Sequence, residues 1–285
     1  MKHFFSIIFL VLNIHATNKL VIFVAPPRSL STAALRMMEA YGGFTVMNEP
    51  FIAAYEHINS LTNEELKEAC WNSDVLKTYQ QAKEVVEKLL QNGPVAIKEM
   101  SFVLEEFLSK DSEFLANKEV YFIFLTRNPH HSIISFYKAL GHVFDYFSHY
   151  IGYQASYQLF QTLPKDYKKF ILHAEDLYTN PENTAQQLCQ FLEIPYKPEM
   201  LQWNNLGNNF NGQQEWHDQK VQELVQHWQA HAIHSTGFEK PTSYAVDNDG
   251  NPTFSEITNE ADRQIVLEAY QENMQYYNLL LTRSE

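Results

Sequence analysis

Residues 120–125, VYFIFL, carry no charge and no break in their apolar character. A run of that length and composition folds as a strand buried on both faces, which demands a layer of structure above it and another below. Residues 19–25 (KLVIFVA) read the same way up to a proline stop, and shorter candidates lie at 44–47, 95–97 and 170–172. Helical segments fall between them, at residues 32–40, one or two over the charged, Pro- and Gly-free stretch 62–91, one after Pro129 through Leu140, and one at 181–192. Short buried strands alternating with helices predict an α/β protein of three layers, with a central parallel sheet of about five strands and helices on both faces.

No internal repeat or low-complexity segment divides the chain, so residues 19–285 are expected to form one domain. Its last stretch, 260–282, has apolar and aromatic residues at helical spacing, and Tyr270, Tyr276 and Tyr277 read as packing residues. Residues 1–18 stand apart: one lysine and an apolar run from Phe4 to Leu12 have the shape of a cleavable secretory signal, or of an apolar lead-in that packs on the domain. The two readings place the protein outside the cell or in the cytoplasm. No stretch approaches 18 uninterrupted apolar residues, so integral membrane insertion is not expected. The loop 204–216, rich in Asn, Gln and Gly, reads as a surface connection or a lid.

In an open parallel sheet, ligands sit at the carboxyl edges of the strands, where helix N-termini present free N–H groups. The turn after residues 19–25, Pro26-Pro27-Arg28-Ser29-Leu30-Ser31-Thr32, falls at such an edge. Ser29, Ser31 and Thr32 offer hydroxyl donors, and Arg28 offers a planar fork that matches the oxygens of a phosphate or sulfate. The glycine-rich loop of nucleotide hydrolases, Gly-x-x-x-x-Gly-Lys-Ser/Thr, is absent. A second edge follows VYFIFL: Arg127 ends the strand and Ser135, eight residues on, lies two turns into the next helix, so both reach towards one further phosphate.

The formal charge of -13 argues against a general nucleic-acid binder, so any polyanion must be gripped locally. Cys70 and Cys189 lack metal-ligand spacing and read as reduced. The twelve histidines include His227, His231 and His234 at a spacing that suits one helical face, but no second ligand pattern accompanies them, and no metal is expected.

These residues resemble the sulfotransferase superfamily, whose donor is 3′-phosphoadenosine 5′-phosphosulfate. Arg28, Ser29, Ser31 and Thr32 match its loop for the 5′-phosphosulfate, and Arg127 with Ser135 matches its pair for the 3′-phosphate. Glu175-Asp176-Leu177, Asn180-Pro181 and Phe191-Leu192-Glu193-Ile194-Pro195 resemble a later family segment. A bacterial-type group within the superfamily is more similar still, through Pro27 to Ala33, Glu49-Pro50-Phe51, His227-Trp228 and Ser235 to Phe238. The resemblance implies a P-loop-like fold and transfer of a sulfuryl group to a small-molecule hydroxyl or amine, without metal.

Two departures bear on the chemistry. Leu30 stands where the family loop often has glycine, and the family's histidine base is missing, since Ile97-Lys98-Glu99-Met100 has methionine at that place. Sulfuryl transfer, like phosphoryl transfer, needs positioning, cations on the oxygens and a base for the acceptor. The resemblance implies Arg28 on the leaving-group oxygen, Lys98 as second cation and Glu49 as base, with Glu99 its rival. Glu175 and Asp176 read as residues that fix loops, and Trp203, Trp216 and Trp228 either line an acceptor pocket or pack. Two other readings stand beside this one: a non-catalytic relative that binds nucleotide or protein, and a magnesium-dependent phosphotransferase on a related fold.

Overall fold

The computed structural model describes residues 19–59, 78–116, 118–140, 147–205 and 229–283. Five strands, β1 (Lys19–Ala25), β2 (Thr45–Asn48), β3 (Val95–Met100), β4 (Glu119–Thr126) and β5 (Lys168–His173), form one all-parallel sheet in the order β2-β3-β1-β4-β5. All five strands stand where the sequence places them, most with longer ends.

The helices described are α1 (Ser31–Tyr41), α2 (Ile52–Asn59), α3 (Tyr79–Leu90), α4 (Ser101–Leu108), α5 (Ser112–Leu115) and α6 (Pro129–Leu140), then α7 (Phe147–Ile151), α8 (Tyr153–Thr162), α9 (Ala174–Thr179), α10 (Pro181–Phe191) and α11 (Glu260–Leu281). A capping box between Thr78 and Gln81 opens α3, and the Asn259 side chain accepts from the N–H groups of Ala261 and Asp262 to open α11.

The reason for the unbroken apolar runs is visible in the packing. Leu20, Ile22 and Val24 of β1, with Val120, Phe122 and Phe124 of β4, face a core built on α3, α4, α6, α8 and α11. Their neighbours Val21, Phe23, Ala25, Tyr121, Ile123 and Leu125 face the opposite core, built on α1 and α10. Each strand is thus apolar on both sides because each side is covered.

Chain direction positions the site. From β1 the chain runs to β2 and β3 on one side, and from β4 it runs to β5 on the other, so the connections part between β1 and β4. The helices that follow these two strands, α1 and α6, lie on opposite faces. A crevice opens at the carboxyl ends of such a strand pair, and ligands of open α/β sheets occupy it.

The tail behaves as a packing element: Tyr270 meets Phe254, Tyr276 meets Tyr157 and Tyr277 meets Tyr153 edge-on. Cys189 is a buried free thiol beside the sulfur of Met200. Among the described residues no helix is long and apolar enough to cross a membrane. Residues 1–18, Cys70, Trp216, His227, Trp228, and most of the expected loop 204–216 lie outside the described residues.

Candidate active site

The loop from β1 into α1 turns on two left-handed residues, Arg28 and Leu30, each with φ of 62°. Non-glycine residues avoid this region at a cost of roughly 1–2 kcal/mol each, and such strain gathers at functional sites. Leu30 occupies the N-cap position of α1 without supplying a capping oxygen, so no side chain at the cap satisfies the first N–H groups of the helix. Ser31 and Thr32 are buried in that first turn. Ser29 is turned inward instead, its Oγ donating to Pro26 O at 2.6 Å, and it closes the loop.

The two anion motifs meet. Arg28 Nε donates to Ser135 Oγ at 2.9 Å, and Arg127 Nη1 donates to the carbonyl of Arg28 at 2.6 Å. Burial holds the Arg28 guanidinium below the usual arginine range, and the charge of Arg127 adds to this. Arg127 is lowered chiefly by its own burial. Both remain cations at neutral pH, so the crevice holds two crowded positive charges that an anion would relieve. The neighbouring imidazoles add none: burial and His131 push His130 down to about 4, while burial and Arg127 lower His131.

Arg127 is itself fixed from behind. The phenol of Tyr153, fully buried at the start of α8, accepts from Arg127 N at 3.2 Å and donates to Arg127 O. Asn273 of α11 accepts from Tyr153 N at 3.2 Å, which ties this clasp to the tail helix. Glu175 accepts from Asn128 N at 3.0 Å, a loop-fixing role of the kind the sequence suggests.

A second cluster stands at the ends of β2 and β3. Asn48 and Lys98 are register partners, and Glu49, left-handed at φ 54°, donates its N–H to Lys98 O at 2.7 Å. The Lys98 ammonium, almost wholly buried, donates to Glu49 Oε1, and Gln229 Nε2 donates to the same oxygen at 3.0 Å. The charge of Glu49 acts on Arg28, which places this cluster beside the anion crevice. Glu99 is fully buried and points the other way: its two oxygens accept from Phe51 N at 2.7 Å and Met100 N at 2.8 Å. Burial, then the charge of Glu49, pushes its carboxyl up to about 8.

Trp203 is a packing residue, edge-on to Phe238 and bonded through Nε1 to Ser235 Oγ at 3.2 Å. Among the described residues no group of three His, Cys, Asp or Glu is gathered as metal ligands would be. Sequence reasoning missed Tyr153, Asn273, Gln229 and Arg36, none of which sits in a motif; Tyr153 alone left a trace, directly after a glycine in an aromatic-rich stretch.

A parallel α/β sheet with paired arginines at its switch point and a lysine–carboxylate pair beside them is an arrangement suited to a compact anionic ligand. A family model described as "Sulfotransferase domain" matches residues 19–252, and the chain belongs to this family of sulfotransferase enzymes. Solved structures that resemble it include the sulfotransferase domain of the Synechococcus PCC 7002 olefin synthase, 16% identical, covering 90% of this chain and 95% of that one, with a TM-score of 0.48. The sulfotransferase domain from the curacin biosynthetic pathway is 17% identical over 87% and 95%, with a TM-score of 0.46. Mouse sulfotransferase SULT7A1 complexed with PAP is 11% identical over 91% and 86%, also at 0.46. No curated protein matches the chain.

Proposed function

We propose that this chain transfers a sulfuryl group from 3′-phosphoadenosine 5′-phosphosulfate to the hydroxyl or amine of a small molecule. The observation that carries the reading is the meeting of the two edges: Arg28, from the turn after β1, bonds Ser135, and Arg127, from the turn after β4, bonds Arg28. Donor entry exchanges the Arg28–Ser135 bond for bonds from both residues to phosphate oxygens. Arg127 and Ser135 take the 3′-phosphate; Arg28 and the first turn of α1, with Leu30, Ser31 and Thr32, take the 5′-phosphosulfate, and Ser29 keeps the loop closed.

Glu49 is the base in this reading, since Glu99 spends both oxygens on backbone N–H groups and holds the Glu49–Phe51 turn. Glu49 removes the acceptor's proton as the acceptor oxygen or nitrogen bonds to sulfur. The bond from sulfur to the bridging oxygen breaks, and its electron pair leaves on the 5′-phosphate of 3′-phosphoadenosine 5′-phosphate (PAP). Arg28 meets that charge, and Lys98 supplies a second cation through its bond to Glu49. The reaction asks for no metal.

The test is calorimetry with PAP. Wild-type protein is expected to bind, and Arg127→Ala and Ser135→Ala are each expected to weaken binding by about 1.5–3 kcal/mol, the worth of a hydrogen bond to a charged group. Unchanged affinity in both variants would dismiss the site.

A further inference from the structure

Helix α1 carries an arginine with no part in the anion crevice. Arg36 is fully buried, and its guanidinium donates to Ile233 O at 2.7 Å and to Asn204 O at 2.7 Å. Ile233 lies in the last turn of a helical stretch that ends at residue 234, where unpaired carbonyls collect and a cation is favoured. The same α1 that opens at the donor loop therefore holds this helix by its C-terminal end.

The same helical stretch carries Gln229 to the Glu49 cluster. Its amide is oriented from both sides: Oε1 accepts from Asn48 Nδ2 at 3.3 Å, and Nε2 donates to Glu49 Oε1 at 3.0 Å. A reversed amide would set donor against donor at Asn48 and acceptor against acceptor at Glu49. Gln229 and Lys98 thus share one carboxylate oxygen, Oε1, which leaves Oε2 as the oxygen to meet an acceptor's proton.

From this geometry we infer that Gln229 is a positioning residue for the Glu49 carboxylate, brought there by the Arg36 hold on its helix. The inference rests on Glu49 as the base. It assigns to residue 229 a role in turnover that does not touch the donor: the residue sets which oxygen of Glu49 faces the acceptor.

The test compares Gln229→Met with Glu49→Gln. Gln229→Met keeps the length of the side chain and removes the donor from Glu49 without setting a second charge beside it. Turnover is read as PAP released from the donor, to water alone and to a panel of a phenol, a primary alcohol and a primary amine. Misplacing a reacting group costs up to about a hundredfold, so kcat is expected to fall roughly ten- to a hundredfold. Donor KM, PAP affinity by calorimetry and the unfolding temperature are expected to stay at wild-type values. Glu49→Gln is expected to lower kcat about 10²- to 10⁴-fold, as loss of a general base does.

If Glu49→Gln is costly and Gln229→Met is silent, the positioning role falls and the base stands. If Glu49→Gln is silent, or no release occurs to any acceptor, both fall. A parallel loss of PAP affinity or of unfolding temperature in Gln229→Met would show a structural role and overturn the proposal.

Discussion

Glu99 shows how a residue beside the site tunes the whole protein's response to pH. Its carboxyl is buried, accepts two backbone N–H bonds and lies near Glu49, and the burial dominates, so its pKa rises from about 4.5 to about 8. A carboxyl raised on folding is protonated in the native state while the unfolded chain has already lost its proton. Its contribution to stability is therefore complete below about pH 4.5 and is lost as pH rises through about 8. Between about pH 7 and 8, above the range in which the lowered histidines His130 and His131 make stability rise with pH, urea unfolding should show stability falling with pH, by up to one proton's slope. Glu99→Gln should flatten that slope, and a slope unchanged in the variant would mean the titrating group lies elsewhere. Leu30 makes a related point about strain: a branched side chain is held at φ 62°, in the left-handed region that glycine favours. Here its side chain packs against the α1 face of the core, which offsets part of the backbone cost.

Among elements, the strands were legible in the sequence because burial on both faces forces the run 20–25 of β1 and the run 120–125 of β4 to be apolar, leaving no competing pattern. The two arginine turns that meet at Arg28 could be singled out for a local reason as well, since each lies within one turn and its following helix. The supports of the site were not legible, because they arrive from far along the chain: Tyr153 lies 26 residues from Arg127, and Gln229 lies 180 from Glu49. Nothing in local spacing announces such a pair. The junction before α8 is the most exacting of these supports. Gly152 sits at φ 82°, and a Cβ there would fall inside contact of Ser101 Oγ and lie 3.5 Å from Pro27 of the loop between β1 and α1. Ser101 has little room to yield, because it is buried and its Oγ donates to Gly152 O at 2.6 Å. Gly152→Ala should cost at least the left-handed penalty of about 1–2 kcal/mol in urea unfolding. It should also weaken PAP binding, because Tyr153 follows directly and clasps Arg127. Wild-type stability in this variant would show that the junction is looser than its geometry.

For the whole molecule, the decisive contrast lies between its surplus of negative charge and the cations concentrated in one crevice. A chain of formal charge -13 repels extended polyanions at long range, while Arg28 and Arg127 attract a compact one at short range. The crevice also joins the two halves of the core, because Arg28 precedes the helix on one face and Arg127 precedes the helix on the other. A ligand held by both must be released before either half opens, so its binding energy adds to global stability. At a hundredfold excess over Kd this amounts to about 2.7 kcal/mol, a rise of several degrees in unfolding temperature for a chain of this size. Wild-type protein should therefore melt higher with PAP, while Arg127→Ala should show a much smaller rise at the same concentration. Duplex DNA at equal phosphate concentration should give no rise, because its backbone presents charge along a line and meets the acidic surface before it can reach the crevice. A shift produced by DNA equal to that produced by PAP would mean that the cations are open to any polyanion and that the sheet edge does not select a nucleotide.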